Sequence, residues 1–391
     1  MIKRNAESTI RQFLRGFPIV TITGPRQSGK TTLARVVFSG RPYVSLEDPD
    51  VRIAAIDDPR GFLERFPDGG VLDEVQRAPE ILSYLQTRVD GDGRMGLFLL
   101  TGSQQFNLMS EISQSLAGRT AFIELLPFSI GELDRAGVRP NLLDAMLFNG
   151  CYPPLYDRDL SPGAWFRSYV TAYVERDVRQ LLKVQDLEAF QRFLRFCAGR
   201  SGQILNLSSL ATDCGITHNT ARAWISVLEA SYILFTLRPH HANFNKRLVK
   251  SPKIYFYDTG LLCWLLGIRE QDQLAAHPLR GSIFETFIVS ELVKTRFNQG
   301  EKAGLHFWRD SNGNEVDVIA EVGTRLMPIE IKSGKTLNRG FFIGLERWQT
   351  LAGDQVTDPT LVYGGTGSQV RKGVSVSGWE AVGRLLGKCR P

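Results

Sequence analysis

The chain has 391 residues, 43% hydrophobic and 23% charged, an ordinary globular composition at a length that suggests two or three domains. No apolar run reaches the roughly 20 residues that span a bilayer, and the polar start lacks the apolar core of a signal peptide, so we expect a cytoplasmic protein with no membrane partner. The net charge of +6 is uneven, because residues 151–280 carry 16 basic and 11 acidic side chains. That excess of five indicates an anionic partner there, although a surplus of this size also arises by chance.

The first 150 residues alternate short apolar runs with helical segments. Strands are predicted at 17–22, 43–46, 70–74, 97–103 and 122–125. Strands that alternate with helices indicate an α/β fold with a parallel sheet.

A glycine-rich loop follows the first predicted strand and leads directly into a helix. It has the pattern G-x-x-x-x-G-K-T, and its candidate nucleotide-binding residues are Gly24, Pro25, Arg26, Gln27, Ser28, Gly29, Lys30, Thr31 and Thr32. Backbone N–H groups of such a loop and the helix N-terminus favour phosphates. Lys30 can reach the β- and γ-phosphates, and Thr31 can bind Mg²⁺. The sequence therefore predicts a P-loop that binds ATP and Mg²⁺.

Residues after the later strands complete a predicted hydrolysis site. Asp73 ends the third strand and fits the acid that holds Mg²⁺, while Glu74 fits the base that orients the attacking water. Ser103 or Gln104, after the fourth strand, is placed to sense the γ-phosphate. Arg119 is a candidate arginine finger, which in trans requires a homo-oligomer; the alternative is a structural salt bridge.

The motifs together resemble the prokaryotic AAA-type ATPases that carry a C-terminal DUF4143 domain. The matching stretches run in family order: Gly24-Pro25-Arg26-Gln27, Leu72 to Pro79, Gly102-Ser103, Ser115 to Arg119, Leu126-Pro127-Phe128-Ser129 and Tyr173 to Val178. The resemblance implies an ATPase module, a winged-helix segment and a nuclease-like C-terminal fold.

Residues 206–229 have the pattern of a helix-turn-helix, with Gly215 in the turn and Thr217 capping the second helix. If this segment binds DNA, the residues that project into the major groove are His218, Asn219, Thr220 and Arg222. The segment Arg238-Pro239-His240-His241 through Lys246-Arg247 and Lys250 would then form a basic wing against phosphates. The alternative is a winged helix used for packing or subunit contact.

Four charged residues near the C-terminus can converge. Glu285 lies on a predicted helix, Asp317 on one strand, and Glu330 and Lys332 on the next, where residues two apart share a face. Carboxylates plus a lysine can bind Mg²⁺ and activate water against a phosphodiester, with Asp317 and Glu330 as metal ligands. The set resembles the PD-(D/E)XK nuclease pattern, although Glu315-Val316 precede Asp317 where the motif has proline.

We therefore predict three domains: an AAA-type ATPase domain at 1–155, a helical and winged-helix segment at 156–275, and a restriction-endonuclease-like α/β domain at 276–391. The glycine-rich tail from Gly365 is predicted to be peripheral. The expected function is an ATPase that binds or processes DNA, with Mg²⁺-dependent cleavage as one outcome. The alternative is an ATP-controlled regulatory module whose nuclease-like domain does not cleave.

Overall fold

The computed structural model describes residues 1–103, 115–174, 186–240, 250–310 and 312–387, except for the side chains of 173 and 174. The chain divides into two compact units. Unit 1 contains Met1–Phe128, Ala230–Tyr232 and Phe297–Glu301. Unit 2 contains Ser129–Glu229, Ile233–Arg296 and Lys302–Pro391.

The strands are β1 (Ile19–Thr23), β2 (Tyr43–Ser45), β3 (Gly70–Asp73), β4 (Phe98–Gly102), β5 (Thr120–Glu124), β6 (Leu234–Leu237), β7 (Lys253–Phe256), β8 (Leu305–Arg309), β9 (Glu315–Val322), β10 (Arg325–Lys332), β11 (Thr360–Tyr363), β12 (Ser368–Arg371) and β13 (Val374–Gly378). The α-helices are α1 (Ala6–Phe13), α2 (Lys30–Val37), α3 (Pro49–Asp57), α4 (Pro59–Glu64), α5 (Ile81–Asp92), α6 (Ile130–Arg135), α7 (Leu143–Asn149), α8 (Pro154–Asp157), α9 (Pro162–Tyr169), α10 (Leu187–Gly199), α11 (Leu207–Cys214), α12 (His218–Ala230), α13 (Thr259–Leu265), α14 (Arg280–Asn298) and α15 (Ile343–Ala352). Among the described residues, no helix combines the length and the apolar character needed to cross a bilayer.

Unit 1 is built on a five-stranded parallel sheet, which confirms the predicted α/β fold. The strand order is β2-β3-β4-β1-β5, so β4 lies between β1 and β3. Successive residues of a strand point to opposite faces, and Ile19 and Val20 accordingly belong to two different buried clusters. α1 and α2 contribute to the cluster that contains Val20, and α5 contributes to the one that contains Ile19. Helices therefore cover both faces, which explains the near-continuous apolar strands.

Unit 2 contains the predicted helix-turn-helix. α11 ends at Cys214, and Gly215 follows it with a φ of +69° that suits glycine. α12 begins after Thr217, whose Oγ1 accepts a hydrogen bond from the Thr220 N–H at 3.1 Å. Ala221 and Leu228 of α12 are buried. The antiparallel pair β6–β7 follows. This arrangement confirms the two predicted helices and the glycine turn.

A six-stranded mixed sheet with the order β12-β13-β11-β10-β9-β8 forms the C-terminal part of unit 2. The prediction that the tail from Gly365 is peripheral is wrong. β13 pairs in parallel with β11, and Val376 and Trp379 are both 2% exposed. In β13 the exposed Ser375 lies between the buried Val374 and Val376, and Gly373 lies in the turn before that strand. These small residues among short apolar ones masked the strands in the sequence.

Candidate functional site

The loop between β1 and α2 has the backbone of a phosphate cradle. Three of its residues have positive φ: Gly24 at +146°, Gln27 at +60° and Gly29 at +92°. A Cβ atom at Gly24 would lie 2.2 Å from the carbonyl oxygen of Leu125, so only glycine fits at this position of the loop. α2 begins at Lys30, and the free N–H groups of its first turn favour an anion.

The loop side chains fit a phosphate ligand. Lys30 is buried, and its Nζ donates to the carbonyl oxygens of Gly24 at 3.0 Å and Pro25 at 2.7 Å, so the ammonium lies inside the loop. The Ser28 hydroxyl is also buried and has no hydrogen-bond partner in the part of the chain that is described. A phosphate oxygen would accept from both groups. The remaining loop candidates are half-buried or exposed: Arg26, Gln27, Thr31 and Thr32.

A buried arginine outside the motif supports the loop. Arg4, which is 7% exposed, donates from Nη1 to the carbonyl oxygen of Ser28 and from Nη2 to that of Leu126, both at 2.6 Å. Charge-assisted hydrogen bonds of this length hold both segments firmly. No sequence pattern indicates this contact, because Arg4 precedes the loop by about twenty residues.

Asp73 lies at the end of β3 and accepts hydrogen bonds from three hydroxyl groups. Thr31 Oγ1 lies 3.0 Å from Oδ2, Tyr43 Oη lies 2.7 Å from Oδ2, and Thr101 Oγ1 bonds to Oδ1. Burial of Tyr43, together with its bond to Asp73, raises the pKa of the tyrosine to about 12. The structure thus brings together Thr31 and Asp73, the two magnesium ligands predicted for the P-loop site, whose oxygens suit that ion.

Glu74 has the left-handed backbone conformation, with φ of +56°. This conformation is costly for a residue other than glycine and is frequent at functional sites. The Glu74 N–H donates to Thr101 Oγ1 at 3.2 Å, and its Oε2 accepts from Ser103 Oγ at 3.1 Å and from Gln76 Nε2. The predicted base and the predicted phosphate sensor are therefore adjacent. The alternative sensor, Gln104, lies outside the described residues.

Arg119 forms a salt bridge with Asp90. Its Nε lies 2.6 Å from Asp90 Oδ1 and its Nη2 lies 2.7 Å from Oδ2. Both side chains are partly exposed, at 32% and 46%. Within the described chain the guanidinium contacts Asp90 and the Ala117 carbonyl oxygen and no residue of the P-loop. The salt bridge that we kept as the alternative is thus present, and a role in trans remains a prediction.

Three of the four predicted C-terminal residues meet where β9 and β10 pair. Lys332 Nζ lies 2.5 Å from Glu330 Oε1 and 3.5 Å from Asp317 Oδ2, and Asp317 also accepts from the Ile331 N–H at 2.8 Å. Burial raises the pKa of Glu330 to about 8, and the charge of Asp317 adds to this shift.

The fourth residue, Glu285 of α14, is held by residues of β7. Its Oε1 accepts from Tyr255 Oη at 2.6 Å and from Lys253 Nζ at 3.0 Å, and Lys253 also pairs with Glu315. Lys253 is 3% exposed. Burial alone would lower its pKa, but the charges of Glu285, Asp317 and Glu315 outweigh burial and raise it. Burial and then the charge of Asp317 raise the pKa of Glu285.

The fit of a metal ion to this cluster is partial. Within the described ranges, no group of three or more His, Cys, Asp or Glu side chains is placed to hold a metal ion. Lys253 and Lys332 neutralise carboxylates of the cluster instead. However, Glu330 Oε2 is buried and has no hydrogen-bond partner among those residues, which leaves one oxygen available to a cation or a donor.

The predicted DNA-contacting residues lie at the start of α12. His218, Asn219 and Arg222 are exposed, and Thr220 is half-buried. Of the predicted wing, Arg238 and Lys250 are exposed, while the carbonyl oxygen of Arg238 accepts from the Phe307 N–H of β8 at 3.1 Å. His241, Lys246 and Arg247 lie outside the described residues.

Three family models each match a part of the chain. Residues 16–134 match a family described as an AAA domain. Residues 140–272 match the domain of unknown function DUF8612, and residues 280–381 match the domain of unknown function DUF4143.

Two solved structures are partly similar to the chain. The Walker-type ATPase paby2304 of Pyrococcus abyssi aligns with a TM-score of 0.42 and 16% identity, over 68% of this chain and 96% of that one. The signal transduction ATPase with numerous domains (STAND) protein PH0952 from Pyrococcus horikoshii, which has a tetratricopeptide repeat sensor, aligns with a TM-score of 0.22 and 11% identity, over 76% and 47%.

Two mycobacterial proteins are more similar in sequence. Uncharacterized protein Rv2008c of Mycobacterium tuberculosis and Uncharacterized protein Mb2031c of Mycobacterium bovis are each 31% identical to the chain over 337 residues, which cover 85% of this chain and 74% of each relative. The chain therefore belongs to the same family as these two proteins, and within it residues 16–134 are a P-loop AAA domain and residues 280–381 a DUF4143 domain.

Proposed function

We propose that unit 1 binds ATP with Mg²⁺ and hydrolyses ATP. The observation that carries the proposal is the alignment of five side chains at or beyond the ends of adjacent parallel strands. Lys30 and Thr31 follow β1, Asp73 ends β3, and Ser103 follows β4 beside Glu74. A parallel sheet brings such residues to one edge, which is where ligands of α/β folds bind.

Each residue has a distinct part in this proposal. Lys30 would pair with the β- and γ-phosphates, and Thr31 and Asp73 would hold Mg²⁺, which would neutralise charge that develops on the phosphates. Glu74 accepts a proton from the attacking water, and Ser103 orients the Glu74 carboxylate. If Arg119 supplies its charge in trans, turnover further requires a homo-oligomer.

Replacement of Lys30 by Ala tests the nucleotide site. The variant loses charge-assisted hydrogen bonds to phosphate, so its affinity for a fluorescent ATP analogue is expected to fall roughly ten- to hundredfold. Lys3→Ala removes an exposed lysine of the same unit and should bind like the wild type. Unchanged affinity and turnover in Lys30→Ala would overturn the site assignment.

We further propose that unit 2 binds DNA through the start of α12. Its exposed polar and basic residues follow a well-capped turn, as in helices that enter the major groove. The excess of 16 basic over 11 acidic residues in 151–280 also favours a polyanion.

Arg222→Gln tests this contact. Loss of one arginine from a groove-reading helix is expected to lower affinity for duplex DNA about tenfold, as measured by fluorescence anisotropy. Arg158→Gln removes another exposed arginine of unit 2 and serves as the control. If the wild type shows no salt-dependent affinity for DNA, helix-turn-helix packing or subunit contact becomes the better explanation.

A second candidate function is Mg²⁺-dependent DNA cleavage at Asp317, Glu330 and Lys332. The unpartnered Glu330 Oε2 favours it, because a metal ligand needs a free oxygen. The ion pairs that Lys253 and Lys332 make favour the alternative, a regulatory domain that does not cleave.

A cleavage assay on several DNA structures with Mg²⁺ separates the two. If the cluster is a nuclease, the wild type cuts at least one substrate and Lys332→Ala loses at least about a hundredfold of that rate. Lys335→Ala, which removes an exposed lysine three positions later, keeps the activity. If DNA is bound and every substrate stays intact, the non-cleaving function stands.

A further inference from the structure

Three arginines from separate parts of unit 2 line one pocket. Arg167 belongs to α9, Arg195 belongs to α10, and Arg269 follows α13. The pocket has a volume of about 160 Å³, and Trp264 of α13 forms part of its wall. All three arginines are exposed, so their guanidinium groups are accessible to a ligand from solvent.

No acidic side chain of the described ranges neutralises these arginines. Arg269 donates to the carbonyl oxygen of Trp264 at 2.7 Å, and its guanidinium carbon lies 3.7 Å from the centre of the Trp264 ring. Arg167 lies 5.8 Å from the same ring. Burial and then the positive charges of Arg167 and Arg195 lower the pKa of Arg269. The three like charges therefore repel one another, and a bound anion would relieve that repulsion.

The backbone beside the pocket is also unusual. Residues Val170–Val174, directly after α9, form a π-helical turn, and Val170 and Thr171 line the pocket. π turns are rare and frequently occur at functional sites, because the wider turn displaces the side chains that follow. Along the chain, this π-helical turn follows Arg167 of α9 and precedes Arg195 of α10.

We propose that this pocket binds a phosphate group of a nucleic-acid backbone. An arginine guanidinium can donate two hydrogen bonds to two oxygens of one phosphate group. The pocket volume of about 160 Å³ is about five times the ~30 Å³ that one water molecule occupies in the liquid. The Arg269 guanidinium already stacks on Trp264, which leaves that face closed to a base and favours a backbone phosphate over a free nucleotide.

The inference rests on the proposed DNA function and adds a contact outside the helix-turn-helix. The positive excess of residues 151–280 favours an extended polyanion over a single small anion. Contacts of this kind position a protein on nucleic acid without reading its sequence, so the effect on affinity is expected to be the same for different sequences.

The test is DNA affinity of the double variant Arg167→Gln/Arg195→Gln as a function of salt. Both residues are exposed, so the melting temperature should stay close to that of the wild type. Affinity at low salt is expected to fall at least about tenfold, and the slope of log K against log salt to shrink by about one, the loss of one phosphate contact. Arg192→Gln on the same helix, whose arginine pairs with Glu188 at 3.8 Å, is the matched control and should bind like the wild type.

Two results would overturn the inference. If the wild type binds DNA and the double variant matches it in affinity and slope, the pocket is not a phosphate site, while the proposed DNA function stands. If the wild type binds no DNA, the proposed function fails as well. Inorganic phosphate that then raises the melting temperature of the wild type but not of the double variant would assign the pocket to phosphate from another source.

Discussion

Glu74→Gln is expected to bind ATP with the affinity of the wild type and to hydrolyse it roughly 10²- to 10⁴-fold more slowly. Glutamine keeps the size of the side chain, and the left-handed backbone at φ +56° is set by the surrounding chain. What is lost is the carboxylate that accepts from Ser103 at 3.1 Å and, in the proposed reaction, takes the proton of water. A steady-state phosphate-release assay and an equilibrium binding titration measure the two effects separately.

Glu64→Gln supplies the control, since Glu64 ends α4 in an exposed position of the same unit. It is expected to match the wild type in both measurements. The hydrolysis rate of Ser103→Ala should lie between the rates of Glu64→Gln and Glu74→Gln, because this change removes only the group that orients the Glu74 carboxylate. Wild-type turnover by Glu74→Gln would show that another residue activates the water and would remove Glu74 from the mechanism.

Local sequence was enough to predict the framework of the nucleotide site. Asp73 and Ser103 each lie at the end of an apolar run, and Lys30 follows the loop that comes after another such run. In a parallel sheet the ends of these runs share one edge. The glycine spacing of the P-loop was enough to predict the loop, while the contact by which Arg4 holds the Ser28 carbonyl oxygen comes from outside the motif. The strands of the sheet and the positions of Glu74 and Ser103 after strand ends therefore follow from patterns that span a few residues each.

The hydroxyl groups around Asp73 were not predictable in the same way. Tyr43 and Thr101 contact Asp73 because β2 and β4 flank β3 in the sheet, and strand order is a property of the whole unit. Nothing in the sequence around Glu74 indicates its positive φ either. A known strand order would have been sufficient to place Tyr43, since it begins β2 beside Val71 of β3.

The C-terminal cluster shows the same limit. Period-two alternation indicated that Glu330 and Lys332 share a face, and both lie beside Asp317. Alternation also places Lys253 and Tyr255 on one face of β7. It does not show that Glu285 of α14 is their partner, because Glu285 lies 30 and 32 residues further along the chain and the contact depends on how the helix packs. Lys253 thus alters the charge of a site whose motif does not contain it.

Glu330→Gln is expected to remove a pH-dependent loss of stability from the protein. Burial and Asp317 raise the pKa of Glu330 from 4.5 to about 8, so between these values the folded state holds a proton that the unfolded state has released. The folded state then binds more protons, and the free energy of unfolding falls as pH rises, by up to about 1.4 kcal/mol per pH unit. Between pH 4.5 and pH 8, Glu330 therefore lowers the free energy of unfolding by roughly 3–5 kcal/mol in total.

The measurement is urea unfolding of both proteins at pH 5, 6, 7 and 8. Glutamine does not titrate in this range, so the variant lacks the fall in unfolding free energy that Glu330 causes. The unfolding free energy of the variant minus that of the wild type should therefore increase with each pH unit. Glu346→Gln, at a carboxylate that is 51% exposed and pairs with Lys372, should show a flat difference. A flat difference for Glu330→Gln as well would mean that Lys332 keeps Glu330 ionised in the folded protein. The carboxylate would then be available to a cation at neutral pH, which strengthens the cleavage function, whereas the expected rise means that a cation must displace a proton there.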